Sequence, residues 1–138
     1  APCIYYGDEI GLEGGPDPDC RRTYPWDEGS WDHVLREQVK RLAALRRAHP
    51  ALRRGTFRTV LAEDAIVSYV REEESGDAVV VAFNVSREER RVDLPVGALP
   101  ARLLDAATGD DLVVTDGELR GIDLPGRSGR AFVTPPAG

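Results

Sequence analysis

The 138-residue sequence predicts a mainly β fold: an antiparallel β-sandwich over residues 51–134, preceded by a strand, a loop and a helix that belong to a different domain. Three observations carry this reading. Apolar residues recur at three- and four-residue steps over residues 30–48, the mark of one amphipathic helix. From about Ala51 the apolar period changes to two and turn residues interrupt it at short intervals, as in a sandwich of interlocking hairpins. At the opposite end an apolar run, Ile4-Tyr5-Tyr6, stops at Gly7 and opens into a charged loop, the way a buried strand of an α/β enzyme delivers side chains to a ligand.

Each element has its own justification. The opening strand is apolar, and the loop that follows, Glu13-Gly-Gly-Pro-Asp-Pro-Asp-Cys-Arg-Arg22, is dense in Gly, Pro and charge. In the helix, Trp31, Leu35, Val39, Leu42 and Leu45 form one core-facing stripe. Ser30 is the expected cap, Asp32 suits the first turn, and Arg46 and Arg47 suit the last. Pro50 disfavours helix at His49 and ends the element there. Eight strands are expected beyond it: 56–61, 65–71, 78–85, 90–94, 101–105, 112–114, 118–124 and 130–134. Turn signals separate them at Ser75-Gly76-Asp77, Pro95 with Gly97, Thr108-Gly109-Asp110, Asp116-Gly117 and Pro125-Gly126. The strand over Ala78–Phe83 is apolar throughout and suits a central position. The tail, residues 135–138, is expected to be disordered.

Composition excludes several classes of function. The formal net charge is −6, which disfavours nucleic acid as a partner. Lys40 is the only lysine among 18 basic residues, a bias of composition rather than a motif. No apolar run reaches the roughly 20 residues of a membrane span. Cys3 and Cys20 are too few for a disulfide framework and lack metal-ligand spacing, so two reduced thiols, a cytoplasmic location and no metal or cofactor are expected. A whole (β/α)8 barrel needs about 250 residues. A chain that begins inside a buried strand has no ladder partner for it, so the sequence reads as the tail of a longer protein.

The opening residues Ala1-Pro-Cys-Ile-Tyr-Tyr-Gly-Asp-Glu-Ile-Gly-Leu12, with Arg21-Arg22 and Pro25-Trp26-Asp27, closely resemble the last barrel strand and loop of the α-amylase superfamily of glycoside hydrolases. Within it the neopullulanase, cyclomaltodextrinase and maltogenic amylase branch is the most similar. The likeness continues through Leu45-Arg-Arg-Ala-His-Pro-Ala-Leu-Arg53 and Gly55, and through Val79–Asn84 and Leu104–Gly109. It implies that residues 1–50 are the end of a (β/α)8 catalytic barrel and residues 51–134 the C-terminal sandwich that follows it. It further implies a retaining enzyme acting on α-glucosidic linkages, an α-glucan oligosaccharide as ligand, the missing upstream barrel as partner, and a parent that dimerises through an N-terminal domain.

Retaining hydrolysis needs two carboxyl groups about 5 Å apart across the scissile bond. Asp8 and Glu9 are adjacent at the end of a strand, where neighbouring side chains diverge, and the family's catalytic carboxylates map onto no residue here. The isolated chain is therefore expected to be inactive. The resemblance instead assigns sugar binding to Asp17 and Arg21: a carboxylate accepts from vicinal hydroxyls while a guanidinium fork donates, and Pro16 and Pro18 stiffen the loop around Asp17. The plain alternative is a loop-stabilising salt bridge. Arg22 and Tyr6 are further candidates for substrate contact, with anchoring and barrel packing as their alternatives.

His33 and His49 are expected to be structural, Tyr24 and Trp26 to pack against the barrel, and Glu72–Glu74 to be a solvated turn. Two other functions stay open: a carbohydrate-binding module, and part of an oligo-1,6-glucosidase-like or trehalose-metabolising relative. Against the module, Phe57, Tyr69, Phe83 and Phe132 are expected in the sandwich core rather than on a stacking surface.

Overall fold

The computed structural model describes residues 2–135, so three of the four residues expected to form a disordered tail, Pro136 to Gly138, lie outside the described residues. The chain divides into two compact units, at Arg46/Arg47.

In the first unit residues 2–5 adopt no regular structure. The strand expected over Ile4–Tyr6 needs a partner to close its ladder, and none exists among the described residues. Left-handed Gly7 (φ 93°) turns the chain into a 3₁₀ turn over Asp8–Ile10, closed by left-handed Gly11 (φ 73°). Ile10 is buried and its carbonyl accepts from the Asp32 N–H at 3.0 Å, which fixes the start of the helix against this turn. Helix α1 spans His33–Ala48. Its cap is Asp32, whose carboxylate accepts from the Leu35 N–H at 2.9 Å, not Ser30 as expected. Ser30 belongs to a preceding 3₁₀ turn, Glu28–Ser30, and its hydroxyl donates to the Asp27 carbonyl at 2.7 Å. The apolar stripe is present at the expected spacing, but no residue of α1 is buried, and Leu42 and Val34 are exposed.

In the second unit a four-residue helix α2, Ala51–Arg54, follows Pro50 directly. Its brevity leaves no periodicity to read, and the sequence did not announce it. Eight strands follow: β1 (Arg58–Glu63), β2 (Ile66–Glu72), β3 (Ala78–Asn84), β4 (Arg90–Leu94), β5 (Arg102–Asp105), β6 (Asp111–Val113), β7 (Leu119–Leu124) and β8 (Ser128–Val133). They form a six-stranded sheet in the order β1-β2-β3-β8-β5-β6 and a two-stranded sheet β4-β7, with every pair antiparallel. The apolar β3 is flanked on both sides, by β2 and β8, as its composition demands.

The core lies between the two sheets. Ile66, Val70, Val80, Ala82, Leu103 and Phe132 come from the larger sheet, and Leu94, Leu119, Ile122 and Leu124 from the smaller. Each is under 6% exposed, and full burial of one such side chain contributes about 1.5–3 kcal/mol. Of the four aromatics expected in this core, only Phe132 is there. β2 and β3 alternate strictly, so Tyr69 and Phe83 fall on the face opposite Ile66, Val70, Val80 and Ala82, and Phe57 shares that outer face.

Two polar clusters lock the sandwich. Asn84, buried at the end of β3, donates to the carbonyls of Glu88 (2.7 Å) and Leu124 (2.9 Å) and accepts from the Ser86 N–H (3.0 Å) and hydroxyl (2.7 Å). Asp105, 2% exposed, takes two hydrogen bonds from Arg130 at 2.7 and 2.9 Å and two from the Ala107 and Thr108 N–H groups. Burial pushes the Asp105 carboxyl up, but Arg130 and those N–H groups outweigh it and hold the carboxyl below its ordinary value.

Candidate functional site

The charged loop after Gly11 holds the sequence-predicted residues as two separate pairs. Asp17 and Arg21 sit four residues apart, Asp17 just before a 3₁₀ turn over Asp19–Arg21 and Arg21 its last residue, and the Arg21 guanidinium donates to the Asp17 carboxylate. Both side chains are 67% exposed. The peptide between Asp17 and Pro18 is cis. The second pair is Arg22 with Asp19, a fork in which the Arg22 Nε and a terminal nitrogen each donate to one Asp19 oxygen. The Arg22 contact holds the Asp19 carboxyl below the ordinary range, and Asp19 in turn raises the Arg22 guanidinium.

Tyr6 joins the second pair rather than the first. Its hydroxyl donates to the Arg22 carbonyl at 2.9 Å, tying the start of the unit to the end of the loop, while its ring lies 4.4 Å from that of Tyr5. Tyr6, Asp19, Cys20 and Arg22 line a small cavity of about 90 Å³ to which Asp17 and Arg21 contribute nothing. Ligand pockets generally run from about 300 Å³, so the cavity is too small to enclose a sugar ring. The loop therefore presents Asp17 and Arg21 as an exposed ion pair outside any enclosure. Arg22 is held by Asp19, and Tyr6 by the Arg22 backbone, at the neck of the loop.

The neighbouring acids are occupied by backbone. Asp8 accepts from the Tyr5 N–H at 2.9 Å and Glu9 from the Gly7 N–H at 3.0 Å, so both hold the turn at Gly7. The Tyr24 and Trp26 rings meet at a tilt, 4.9 Å between centroids, with Trp26 exposed, and Trp31 donates its indole N–H to the Pro25 carbonyl at 2.7 Å. Cys3 and Cys20 are free thiols. Among the described residues no group of His, Cys, Asp or Glu side chains is placed to hold a metal ion.

In the second unit His49 is structural, with a partner the sequence did not reveal. Its Nδ1 lies 2.7 Å from Asp77, which also accepts from the Ala51 N–H at 2.8 Å and the Thr134 hydroxyl at 2.9 Å. Burial raises the Asp77 carboxyl, but these three contacts together hold it below its ordinary value. A cavity of about 350 Å³ opens where β6 and β7 face each other, lined by Asp111, Leu112, Leu119, Arg120, Asp123 and Arg130 among others.

Comparison with known proteins interprets this geometry. No family model matches the chain. A cyclomaltodextrinase of Geobacillus thermopakistaniensis is 40% identical over 111 residues, covering 80% of this chain and 19% of that protein. Neopullulanase 2 of Thermoactinomyces vulgaris is 36% identical over 125 residues, covering 86% and 21%. Among solved structures, a cyclomaltodextrinase superposes with a TM-score of 0.84 at 33% identity, over 96% of this chain and 23% of that one. The chain thus spans about a fifth of the length of the curated relatives it matches.

A β-sandwich preceded by this loop and helix, with these relatives, belongs to the α-amylase family of glycosidases. Within that family the relatives carry the names cyclomaltodextrinase, neopullulanase and maltogenic amylase, the branch that the opening residues resemble, and also amylopullulanase.

Proposed function

We propose that this chain is the C-terminal portion of a glycoside hydrolase that cleaves α-glucosidic linkages in starch-derived oligosaccharides or cyclomaltodextrins. The names of the relatives support the substrate class, and the share of their length that the chain spans supports a longer polypeptide. On this reading residues 1–50 close a (β/α)8 barrel, residues 51–134 are the sandwich that follows, and the catalytic carboxylates lie in the preceding part. Free Cys3 and Cys20 suit a reducing, cytoplasmic setting.

The chain's own contribution is recognition of one glucose unit by Asp17 and Arg21. The observation that carries this is the pair itself: a carboxylate and a guanidinium pre-aligned on each other, both largely exposed, on a proline-flanked loop whose anchoring is done by Arg22, Asp19 and Tyr6 instead. Vicinal hydroxyls match that donor–acceptor pairing.

Magnitudes separate this role from a loop brace. An exposed ion pair stabilises by about 0–1 kcal/mol, whereas a hydrogen bond from a charged group to a ligand contributes about 1.5–3 kcal/mol. In the full-length enzyme, Asp17→Ala and Arg21→Ala are each expected to lower kcat/KM on maltooligosaccharides and cyclomaltodextrins by about ten- to a hundredfold, with Tm almost unchanged. Unaltered kinetics accompanied by a lower Tm would reduce the pair to a brace.

A further inference from the structure

We propose that the cavity between β6 and β7 is a second binding site, for one glucose unit of an α-glucan, to which Asp17 and Arg21 contribute nothing. The choice of glucose rests on the substrate class proposed above. The volume test that excludes the loop cavity admits this one: about 350 Å³, against the roughly 300 Å³ at which ligand pockets begin. Its position follows from the topology. Among the described residues β6 pairs only with β5, at the end of the six-stranded sheet, and β7 pairs only with β4. These two consecutive strands thus belong to different sheets. They meet at the Thr115–Glu118 bridge and leave a gap at the open edge of the sandwich.

A bulge in β7 furnishes the site. Val92 pairs with Ile122 but Leu94 with Leu119, so β7 carries one residue more than β4 over this stretch. Gly121 takes up the extra residue at a left-handed φ of 65°, and its N–H donates to the Asp93 carboxylate at 2.6 Å. Strict alternation would send Arg120 and Asp123 to opposite faces of the strand. The bulge brings both to the cavity, where Asp111 of β6 and Arg130 of β8 join them.

The charges select the occupant, because each has its countercharge in place. Arg120 donates to Glu118 at 2.8 Å and Arg130 to Asp105 at 2.7 Å, while Asp111 accepts from Arg102 and Arg91 reaches Asp123 at 3.4 Å. An ionic ligand would have to break one of these pairs. A neutral ligand need not, since a guanidinium has several N–H donors and a carboxylate several lone pairs, and some of each remain after pairing. Donors and acceptors together around a cavity of this size match the vicinal hydroxyls of a single pyranose. An extended peptide is a poorer match, because β6 offers it only three residues of free edge.

The test is a two-dimensional amide NMR titration with maltotriose of this chain carrying Asp17→Ala and Arg21→Ala, which silences the loop pair. Shifts centred on Leu112, Arg120, Gly121 and Asp123 are expected. Asp123→Ala, and separately Arg120→Ala, should each weaken the fitted affinity by about tenfold while the rest of the spectrum stays dispersed. Both side chains are half-exposed, so neither substitution threatens the fold. Absent shifts, shifts centred elsewhere, or an affinity that both substitutions leave unaltered would overturn the proposal. So would saturation of the same amides by inorganic phosphate at lower concentration than maltotriose, which would make the cavity an anion site. Activity separates this site from the reading beneath it. In the full-length protein Asp123→Ala is expected to leave kcat/KM on maltotriose unchanged, and a loss as large as that of Asp17→Ala would overturn the site's independence. A full-length protein inactive on α-glucans, with the maltotriose shifts present in this chain, would overturn the reading and keep the site.

Discussion

Ser68 Oγ is the one buried side-chain polar atom without a hydrogen-bond partner among the described residues, and it faces the core from β2 between Ile66 and Val70. A hydroxyl desolvated without compensation costs about 1–3 kcal/mol, and alanine removes only that oxygen. Ser68→Ala is therefore expected to raise stability by about 1 kcal/mol, seen as a Tm increase of several degrees by circular dichroism. An unchanged or lower Tm would mean that the hydroxyl is satisfied. The Asp105–Arg130 pair has the opposite character. Removing Arg130 leaves a carboxylate at 2% exposure with only backbone donors, and breaking a buried pair costs about 3–5 kcal/mol. Because the folded carboxyl is held below its unfolded value, the stability it contributes is present above the ordinary carboxylate pKa of about 3.9 and is lost as pH falls through the lower folded value. Arg130→Met should thus be most destabilising near neutral pH, toward about 3 kcal/mol, and the gap from the native protein should close in melts taken well below pH 4. A gap that persists in acid would assign Arg130's role to packing over the Phe132 ring, 5.1 Å away, instead of to charge. The Asp105–Arg130 pair was not legible beforehand, because a contact 25 residues apart in sequence leaves no local pattern. Asp17 and Arg21 are singled out as candidates only by the likeness of their loop to a family.

At the scale of elements the sequence was far more readable, and the reasons are local. All eight strands fall within a few residues of their expected positions, because period-two alternation and turn residues such as Gly109 (φ 79°) and Gly117 (φ 78°) mark both the faces and the ends. Alternation does not say which of two apolar faces meets the core. On β2 both Val67-Tyr69 and Ile66-Val70 are apolar, and the aromatics were assigned to the wrong one. Helix α1 was likewise located but its cap misassigned, since Asp27, Ser30 and Asp32 are all cap-competent and only the backbone decides between them. The correction has a measurable consequence. Asp32→Ala should reduce the α1 helical signal at 222 nm and destabilise the helix by about 1 kcal/mol, while Ser30→Ala, which loses a bond within the preceding turn, should cost only a fraction of that. Equal effects would return the cap to Ser30.

At the scale of the whole molecule the two units differ in what holds them together. The second closes a core of fully buried Leu, Val, Ile and Phe between its sheets, whereas in residues 2–46 only Gly7 and Ile10 are buried and α1 buries nothing. Local opening is easiest where few apolar contacts must be broken, so the two units should respond unequally to protease. Arg21 and Arg22, exposed in their loop, and Arg36 and Arg41 on α1 give trypsin access throughout the first unit. Brief digestion of the chain should remove that unit and leave a resistant fragment beginning between Arg47 and Arg54 that still melts cooperatively. Hydrophobic-dye fluorescence should fall on that digestion, as Ile4, Tyr5, Val34 and Leu42 are lost, yet not vanish, because Phe57, Val67 and Phe83 stay exposed on the surviving sheet. A chain that resists trypsin at Arg21 and Arg36 and binds no dye would show the first unit to be stable by itself. Its half-covered helix would then be a finished surface, which would count against the proposal that residues 1–50 close a barrel.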